Sequence, residues 1–259
     1  MSQTDTRAIG IIATGLVVFV GVCAWWVSRP TPAAKVTPNA VTATEAPIDK
    51  PAPPPPIDLP PLDQMDGFLR PLLAALSQRP ELANWLATDD LVRQLAAAID
   101  QASAGGSPAR DFKVIAPSST FAPGERGDHR TIDPASYRRY DGLVRTVTSI
   151  DASRVAQIYK TIQPRLNEAY RGMGHPKGHV DAAIQRAIDL LLDTPAVKDP
   201  IALTAAGGAG WAFADEDLED LAPTQKQLLR MGPAHADALK VWLRALQAAL
   251  SSRSPISDP

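Results

Sequence analysis

The chain has 259 residues, a formal net charge of -2, and positive and negative side chains scattered along its length. Nucleic-acid-binding proteins need a basic face that releases counterions from phosphate, so the near-neutral charge excludes nucleic acid as a partner. The single cysteine, Cys23, lies in the apolar N-terminal segment, so the rest of the chain has neither a disulfide nor a thiolate nucleophile.

The first predicted element is an uncharged apolar run from Ala8 to Val27. At 1.5 Å rise per residue, about 20 helical residues span a hydrocarbon core of roughly 30 Å. A charged residue stands near each end of the run, and Trp25 and Trp26 occupy positions where interfacial aromatic residues are expected. The pattern predicts a short tail at residues 1–7, a transmembrane helix at residues 8–27 and the membrane as a partner.

A cleaved signal peptide is the alternative interpretation of this run. Its apolar region is normally about 7–15 residues long and is followed by a small-x-small cleavage site. Here the run is longer, and Ser28-Arg29-Pro30 follows it. Lipoprotein processing at Cys23 is a further alternative, although Val22 is a poor fit to the small residue preferred there. The main prediction is therefore a retained anchor.

The orientation of this anchor is predicted from its layout, because positive charges lie on both sides of the run. A very short N-terminal tail before a long C-terminal domain is usual in bacterial proteins with a cytoplasmic N terminus. We therefore expect a single-pass protein of the bacterial inner membrane, with its C-terminal domain in the periplasm.

Proline dominates the next segment, residues 28–61, in which 11 of the 32 residues from Pro30 to Pro61 are proline. Such a composition cannot build a core and favours extended polyproline II. At about 3.1 Å per residue, the segment reaches up to roughly 100 Å from the bilayer. We predict a disordered spacer, and a PxxP ligand for a partner is the alternative.

Apolar residues recur at helical spacing from residue 62 to residue 250, which predicts a multi-helix domain. The signals for individual helices combine capping residues, first-turn prolines and apolar stripes. In chain order they are Asp63 as a cap, Pro80 in a first turn, Thr88 as a helix opening, Asp133-Pro134 and Asp151 as caps, the stripe Val180–Leu192, Pro223 in a first turn and the stripe Leu239–Leu250.

Two stretches interrupt the helical pattern. Residues 111–116 are predicted to be briefly extended, and a long loop is predicted from Pro117 to Thr131. The stretch from Ile201 to Phe213 contains a glycine cluster between two apolar segments and is compatible with a small β-hairpin. The predicted fold class is all-α: a multi-helix domain over 62–250 with at most one such hairpin, preceded by one transmembrane helix and a Pro-rich linker, and followed by a disordered tail over 251–259.

The sequence contains no recognisable catalytic or metal-binding motif. His175 and His179 have metal-ligand spacing, but Pro176 and Gly178 intervene and no zincin-type Glu follows the first histidine. The five acids within 215–220 lack the alternating loop of a calcium site, and acids there favour a helix N-terminus. We therefore predict no enzyme activity, no catalytic residue, no cofactor and no metal. The alternative is an envelope hydrolase whose carboxylates come from distant segments.

Two polar segments are candidates for a partner-binding surface. Both place arginine or lysine beside residues that are enriched at interfaces. Compensation of helix dipoles and a solvated face explain the same charges without a partner. The candidate residues are Tyr137, Arg138, Arg139, Tyr140, Gln225, Lys226 and Arg230.

The two candidate segments and three further segments resemble a known protein family. The segments are Leu59–Asp63, Trp85–Leu91, Ser107–Arg110, Tyr137–Asp141 and Gln225–Pro233. Over residues 59–250 the chain resembles the bacterial family named domain of unknown function three-zero-one-four, in which similar segments occur in the same order. After Pro233 the chain departs from the family pattern, with Ala234-His235 where an amide residue is commoner.

The resemblance implies a proteobacterial envelope protein with an N-terminal anchor and a Pro-rich spacer. It implies no established activity, cofactor or catalytic residue. The leading functional hypothesis is therefore a non-enzymatic, membrane-tethered periplasmic domain that binds a protein or cell-wall partner.

Overall fold

The structure is a computed structural model that describes residues 58–110, 116–117, 119–126, 129–198, 200–206 and 210–252. The predicted anchor at Ala8–Val27, nearly all of the Pro-rich linker and most of the extended segment predicted at 111–116 lie outside these ranges. Within the described ranges, no helix combines the length and the apolar character needed to cross a membrane.

Helices account for most of the described residues. They are α1 (Met65–Ala74), α2 (Pro80–Leu86), α3 (Leu91–Ser103), α4 (Pro134–Tyr137), α5 (Asp141–Ser149), α6 (Ala152–Gly172), α7 (Val180–Leu192), α8 (Glu216–Glu219), α9 (Pro223–Arg230) and α10 (Pro233–Ser251). Short 3-10 helices lie at Leu62–Gln64, Pro108–Arg110 and Arg138–Tyr140. The strands are β1 (Pro123–Arg126), β2 (His129–Ile132), β3 (Ala202–Ala206) and β4 (Gly210–Phe213).

The strand content is larger than the sequence predicted, since the strands form one four-stranded antiparallel sheet in the order β1-β2-β3-β4. The hairpin predicted within Ile201–Phe213 is confirmed as β3 and β4. The loop predicted from Pro117 to Thr131 is wrong, because β1 and most of β2 lie within it. Their sequences, Pro-Gly-Glu-Arg and His-Arg-Thr-Ile, are too short and polar to show an apolar alternation. The fold is therefore mainly helical with a small sheet, and not all-α.

The largest buried cluster is formed by α1, α2, α3, α6 and α7, with α3 packed against both α6 and α7. The start of the predicted stripe Val180–Leu192 faces this cluster, and Leu69, Leu91 and Val180 are fully buried within it. Full burial of one such side chain contributes about 1.5–3 kcal/mol, so such side chains account for the cohesion of the helical region.

Two of the predicted helix starts are confirmed by capping bonds. Asp133 Oδ1 accepts a hydrogen bond from Ala135 N at 2.8 Å at the start of α4. Asp151 Oδ1 accepts one from Arg154 N at 2.9 Å at the start of α6. In both cases a short acceptor side chain satisfies a backbone N–H that has no partner within its own helix.

The helix opening predicted at Thr88 is wrong, because α3 begins at Leu91. Thr88 instead donates its hydroxyl hydrogen bond to Trp85 O at 2.7 Å, at the end of α2. The carboxylate that caps α3 belongs to Asp66 of α1, which accepts from Asp90 N at 2.8 Å and from Leu91 N at 2.9 Å. A cap supplied by another helix leaves no signal in the sequence next to the capped end.

The sheet and its neighbouring helices form a second buried cluster. It contains Ile132 of β2, Leu203 of β3 and Phe213 of β4, together with Leu218 of α8 and Leu229 of α9. Leu203 and Phe213 are paired across the β3–β4 hairpin, so both side chains point to the same face of the sheet. This arrangement brings α9 and the start of α10 beside the sheet.

Candidate functional site

The two polar segments that the sequence marked as partner-binding candidates meet in the structure. The glycine between α9 and α10, Gly232, has a φ of 89°, and a Cβ there would lie 2.5 Å from the Tyr137 ring. The Tyr137 ring therefore packs directly against the Gly232 backbone. Gln227 Nε2 also donates a hydrogen bond to the Tyr140 hydroxyl at 2.9 Å. The two segments form a joint between the end of α9 and the 134–140 region.

Three of the candidate side chains are buried in this joint or beside it. The exposed fractions of Tyr137, Tyr140 and Gln225 are 8%, 3% and 7%. Gln225 accepts from Ala222 N at 3.2 Å and donates to Leu190 O at 3.0 Å, which ties α9 to α7. These three side chains contact other parts of the same domain and present little surface to a partner.

The two candidate arginines of the first segment differ in exposure. Arg138 is exposed, whereas Arg139 is half-buried. Arg139 Nε donates to Ser136 O at 2.8 Å, and its guanidinium lies 5.1 Å from the Phe121 ring and 5.2 Å from the Tyr140 ring. Within this segment, Arg138 is thus the candidate whose charge faces solvent.

Lys226 and Arg230 are held at the outer edge of the sheet. Lys226 Nζ donates to the Glu219 backbone oxygen at 2.7 Å and to Glu219 Oε1 at 2.8 Å. The other Glu219 carboxylate oxygen accepts a hydrogen bond from Phe213 N at 2.8 Å. Arg230 donates to Trp211 O at 3.2 Å, and its guanidinium lies 5.1 Å from the Phe213 ring.

These contacts close the free edge of β4. Ala214 N donates to Ala202 O at 3.0 Å, so the even-numbered residues of this strand turn their backbone groups toward β3. Trp211 and Phe213 turn theirs away from β3, where Arg230 and Glu219 bond them. Side chains that cover an edge strand prevent another chain from adding to it. We call this set, Glu219, Lys226 and Arg230, the edge cap.

The edge cap also changes the acidity of its carboxyl group. The Glu219 pKa is lowered from its usual 4.5, first by the hydrogen bond from Lys226 and then by the one from Phe213 N–H. The charges of Lys226 and Arg230 act in the same direction. Glu219 is therefore held as a carboxylate, which is the form that both donors require.

The other constellations tested in the sequence have structural partners. His175 Nε2 lies 3.0 Å from Asp100 Oδ1, and its ring stacks on Tyr170 with the ring centroids 4.3 Å apart. Asp215 caps α8 by accepting from Asp217 N at 3.0 Å, which confirms the predicted capping role. Among the residues that the structure describes, no group of three or more His, Cys, Asp or Glu side chains is placed to hold a metal ion.

A small cleft, which sequence reasoning missed, lies between residues 195–198 with Ile201 on one side and the first turns of α10 on the other. Its volume is about 170 Å³. The lining is mostly apolar, with two lysines and one aspartate, and it consists of Pro195, Ala196, Val197, Lys198, Ile201, Leu229, Gly232, Pro233, Ala236, Asp237 and Lys240. We call it the α10 cleft.

The two lysines of the α10 cleft have no carboxylate partner among the described residues. Lys198 is exposed. Lys240 donates a short hydrogen bond to the backbone oxygen of Thr194, which is a neutral acceptor. The cleft therefore combines mostly apolar walls with two lysines that form no ion pair with a described carboxylate.

Sequence reasoning missed this cleft because its two walls are far apart in the chain. The sequence of segment 195–201 predicts an irregular connection between a helix and a hairpin. Lys240 is one of several charged residues on the last helix, and its local sequence does not distinguish it from the others. The local signals available were Pro195 and the turn Gly232-Pro233. Neither of these signals shows that the two segments face each other.

No curated protein and no solved structure matches this chain. The model of one protein family does match it, over residues 91–247. That match covers α3 to α10 and more than half of the 259 residues. The chain belongs to this family, which is described as a protein of unknown function, DUF3014.

Proposed function

We propose that this chain is a non-enzymatic, membrane-tethered binding module whose domain captures a segment of a protein partner in the α10 cleft. The anchor predicted at Ala8–Val27 and the Pro-rich spacer supply the tether. The observation that carries the proposal is the mostly apolar cleft between distant segments, lined by Lys198 and Lys240, which have no carboxylate partner within the described part of the chain.

The size of the α10 cleft supports a protein segment over a small-molecule substrate. Its volume of about 170 Å³ is well below the roughly 300–1,000 Å³ that is typical of small-molecule sites. This space suits one side chain that anchors a longer partner, with further contacts on the surrounding surface.

The hydrolase alternative gains no support from the lining of this cleft. Acid–base hydrolysis by carboxylates needs two such groups in defined positions, one as the acid and one as the base or nucleophile. Among the described residues that line the α10 cleft, Asp237 is the one acidic residue. A binding role uses the features that are present, and we therefore place it first.

The proposed location is the periplasmic side of a bacterial inner membrane. It is supported by the order of a short tail, an apolar run and a long C-terminal domain. A reporter that is active only outside the cytoplasm, fused after Pro259, tests it. We expect the reporter to be active, and activity of a cytoplasmic reporter at the same position would contradict the proposed location.

The capture itself is tested by site-specific photo-crosslinking in cells that make the full chain. A photoreactive residue at Ala196, which is exposed and lines the cleft, is compared with one at Met173. Met173 is 39% exposed and lies at the C-terminal end of α6, outside the cleft. We expect discrete crosslinked adducts at position 196 and none at position 173. Ala236→Leu, which fills the cleft, should abolish them. Equal adducts at both positions, or none at 196, would contradict the proposed site.

A further inference from the structure

We propose that the outward face of α10 pairs with the same face of a second copy of this chain, with the two helices antiparallel. The two-fold axis of this dimer passes beside Val241, so Val241 of one copy contacts Val241 of the other. The inference goes beyond the proposed function and does not depend on it, because different observations carry it. They are the exposed apolar residues of α10 and the positions of its two exposed charges.

The outward face of α10 is largely apolar, whereas the exposed face of a surface helix is normally polar. Val241 is 65% exposed, and in the described part of the chain no other large apolar side chain is as exposed. The exposed residues of α7, by contrast, are polar except for Ala182. The exposed residues of α10 are Ala234, Asp237, Val241, Arg244, Ala245, Ala248 and Ser251.

These residues are arranged in order around the helix. Ala234, Val241 and Ala248 are spaced by seven residues, which is about two turns, so they form one row along α10. Asp237 and Arg244 both lie on one side of this row, because they are four residues before and three residues after Val241. The face is therefore an apolar row with an acid and a base along one flank.

A two-fold axis perpendicular to α10, between positions 240 and 241, makes this face complementary to itself. Asp237 and Arg244 are equally far from this axis, and the axis keeps them on the same flank. Asp237 of one copy is therefore opposite Arg244 of the other, and the pair occurs twice. Ala234 lies opposite Ala248 to within about one residue, or 1.5 Å, along the helix. Each apolar position thus meets an apolar position.

The two charges are available for such pairing. Neither Asp237 nor Arg244 forms an ion pair with another residue that the structure describes. A second copy carries the matching base and acid at the required spacing, which makes it the partner that this charge pattern favours. Pairing needs two copies, so it depends on the concentration of the chain and does not contribute to the folding of a dilute single copy.

The inference is tested by disulfide trapping in cells that make two differently tagged forms of the full chain, both with Cys23→Ser. Val241→Cys puts a thiol beside the two-fold axis, where two copies bring their Cβ atoms close enough for a disulfide. Ala182→Cys is the matched control, because Ala182 is an exposed alanine of α7 outside this face. After mild oxidation we expect a species that carries both tags for Val241→Cys, and severalfold less of it for Ala182→Cys.

Charge reversals in the Val241→Cys chain test the predicted arrangement. Asp237→Arg and Arg244→Asp each set like charges opposite one another twice, so each should lower the trapped fraction severalfold. The double variant exchanges the two charges and should restore trapping, because both ion pairs form again. Arg186→Asp on α7 is the control and should leave the trapped fraction unchanged. All of these side chains are exposed, so the fold is not disturbed.

The outcomes separate this inference from the proposed capture in the α10 cleft. No trapping at position 241, or equal trapping at 241 and 182, would overturn the dimer. A disulfide from position 241 to a different protein would assign the face to another partner and overturn it as well. If the double charge variant were trapped no better than the single variants, the antiparallel arrangement would be wrong. None of these results depends on the adducts expected at position 196.

Discussion

The helical region, formed by α1, α2, α3, α6 and α7, and the sheet region, formed by the strands with α8 and α9, are held together in different ways. The helical region buries long apolar stripes, with residues such as Leu69 and Val180 fully inaccessible. The sheet region has a smaller apolar cluster and depends on side chains that bond backbone groups, notably the edge cap. Stability that is spread over many apolar contacts tolerates polar change at the surface, whereas stability that depends on single contacts does not.

The same difference explains where the candidate site lies. The α10 cleft is next to the sheet region, where Gly232 and Leu229 join the second cluster to the last helix. Short connections and a small core leave space there for a recess, whereas interdigitated stripes fill the space between long helices. Four substitutions test this difference between the two regions.

The largest expected effect is that of Gly232→Ala in the joint beside the sheet region. A Cβ at this position would lie 2.5 Å from the Tyr137 ring, and a φ of 89° with a ψ of 159° is strained for any other residue. Strain of about 1–3 kcal/mol and overpacking of about 1–3 kcal/mol together give a loss of roughly 2–6 kcal/mol in the free energy of unfolding. Urea unfolding of the purified chain measures it.

The matched control is Gly67→Ala, since no atom lies within 4 Å of a Cβ built at Gly67 in α1. We expect this change to stabilise the chain by about 0.5–1 kcal/mol, because alanine is the better helix former. If the two alanine variants unfolded at the same urea concentration, the joint would not depend on this single backbone position.

The next largest effect is expected for Leu69→Ala in the helical region. Leu69 is fully buried, and removal of its side chain leaves a cavity that costs about 2–5 kcal/mol. Val241→Ala on α10 is the control, since Val241 is 65% exposed and its change should stay within about 0.5 kcal/mol. Similar losses in the two variants, measured by urea unfolding, would mean that burial does not set the stability of this region.

A smaller effect is expected for Asp66→Ala, which removes the carboxylate of α1 that caps α3 in the helical region. Asp66 accepts from Asp90 N and Leu91 N at the start of α3, so its loss leaves two backbone donors without their acceptor. We expect a loss of about 1–3 kcal/mol. Asp63→Ala is the control, because its contact is an exposed ion pair with Arg93 and such pairs contribute little. A larger loss of unfolding free energy for Asp63→Ala than for Asp66→Ala would contradict the assignment of Asp66 as the cap of α3.

The smallest effect at neutral pH is expected for Glu219→Gln, and it should depend on pH. Because the folded-state pKa of Glu219 is lowered below 4.5, this carboxylate stabilises the folded chain above the unfolded-state pKa. That contribution is lost as the pH falls through the folded-state pKa. The difference in unfolding free energy between the unmodified chain and Glu219→Gln should therefore be constant from pH 7 down to about pH 5 and shrink below about pH 4.

The control for this prediction is Glu216→Gln, which removes a nearby exposed acid of α8. Urea unfolding of the three chains at pH 7 and pH 3.5 measures the difference. A difference that grows on acidification would contradict the bonding that we describe for the edge cap.

Many of the helices could be predicted from the sequence, because a helix is specified by neighbours three and four residues apart. The stripe Val180–Leu192 and the caps Asp133 and Asp151 are examples that the structure confirms. The start of α3 could not be predicted, because its cap Asp66 lies on another helix. Strands β1 and β2 were missed for a related reason, since they are stabilised by pairing with each other and with β3.

The candidate binding residues show the same limit. The two segments that contain them, together with three other segments, were sufficient to suggest the family, and the match over residues 91–247 confirms that family. Their local pattern could not separate charges that face solvent from charges that bond within the domain. Arg138 is exposed, whereas Lys226 and Arg230 bond to the α8 residue Glu219 and to β4.

By itself, the sequence determined the mainly helical fold, the helix caps at Asp133 and Asp151 and the family, because these depend on local periodicity, local capping and motif order. The tertiary structure decided that Lys226 and Arg230 close an edge strand and that Lys198 and Lys240 line a cleft. Both outcomes depend on contacts between segments far apart in the chain, such as Lys240 with Thr194. The partners of Lys226, Arg230 and Lys240 belong to other elements of the fold, so the helix that carries each charge does not show what that charge bonds.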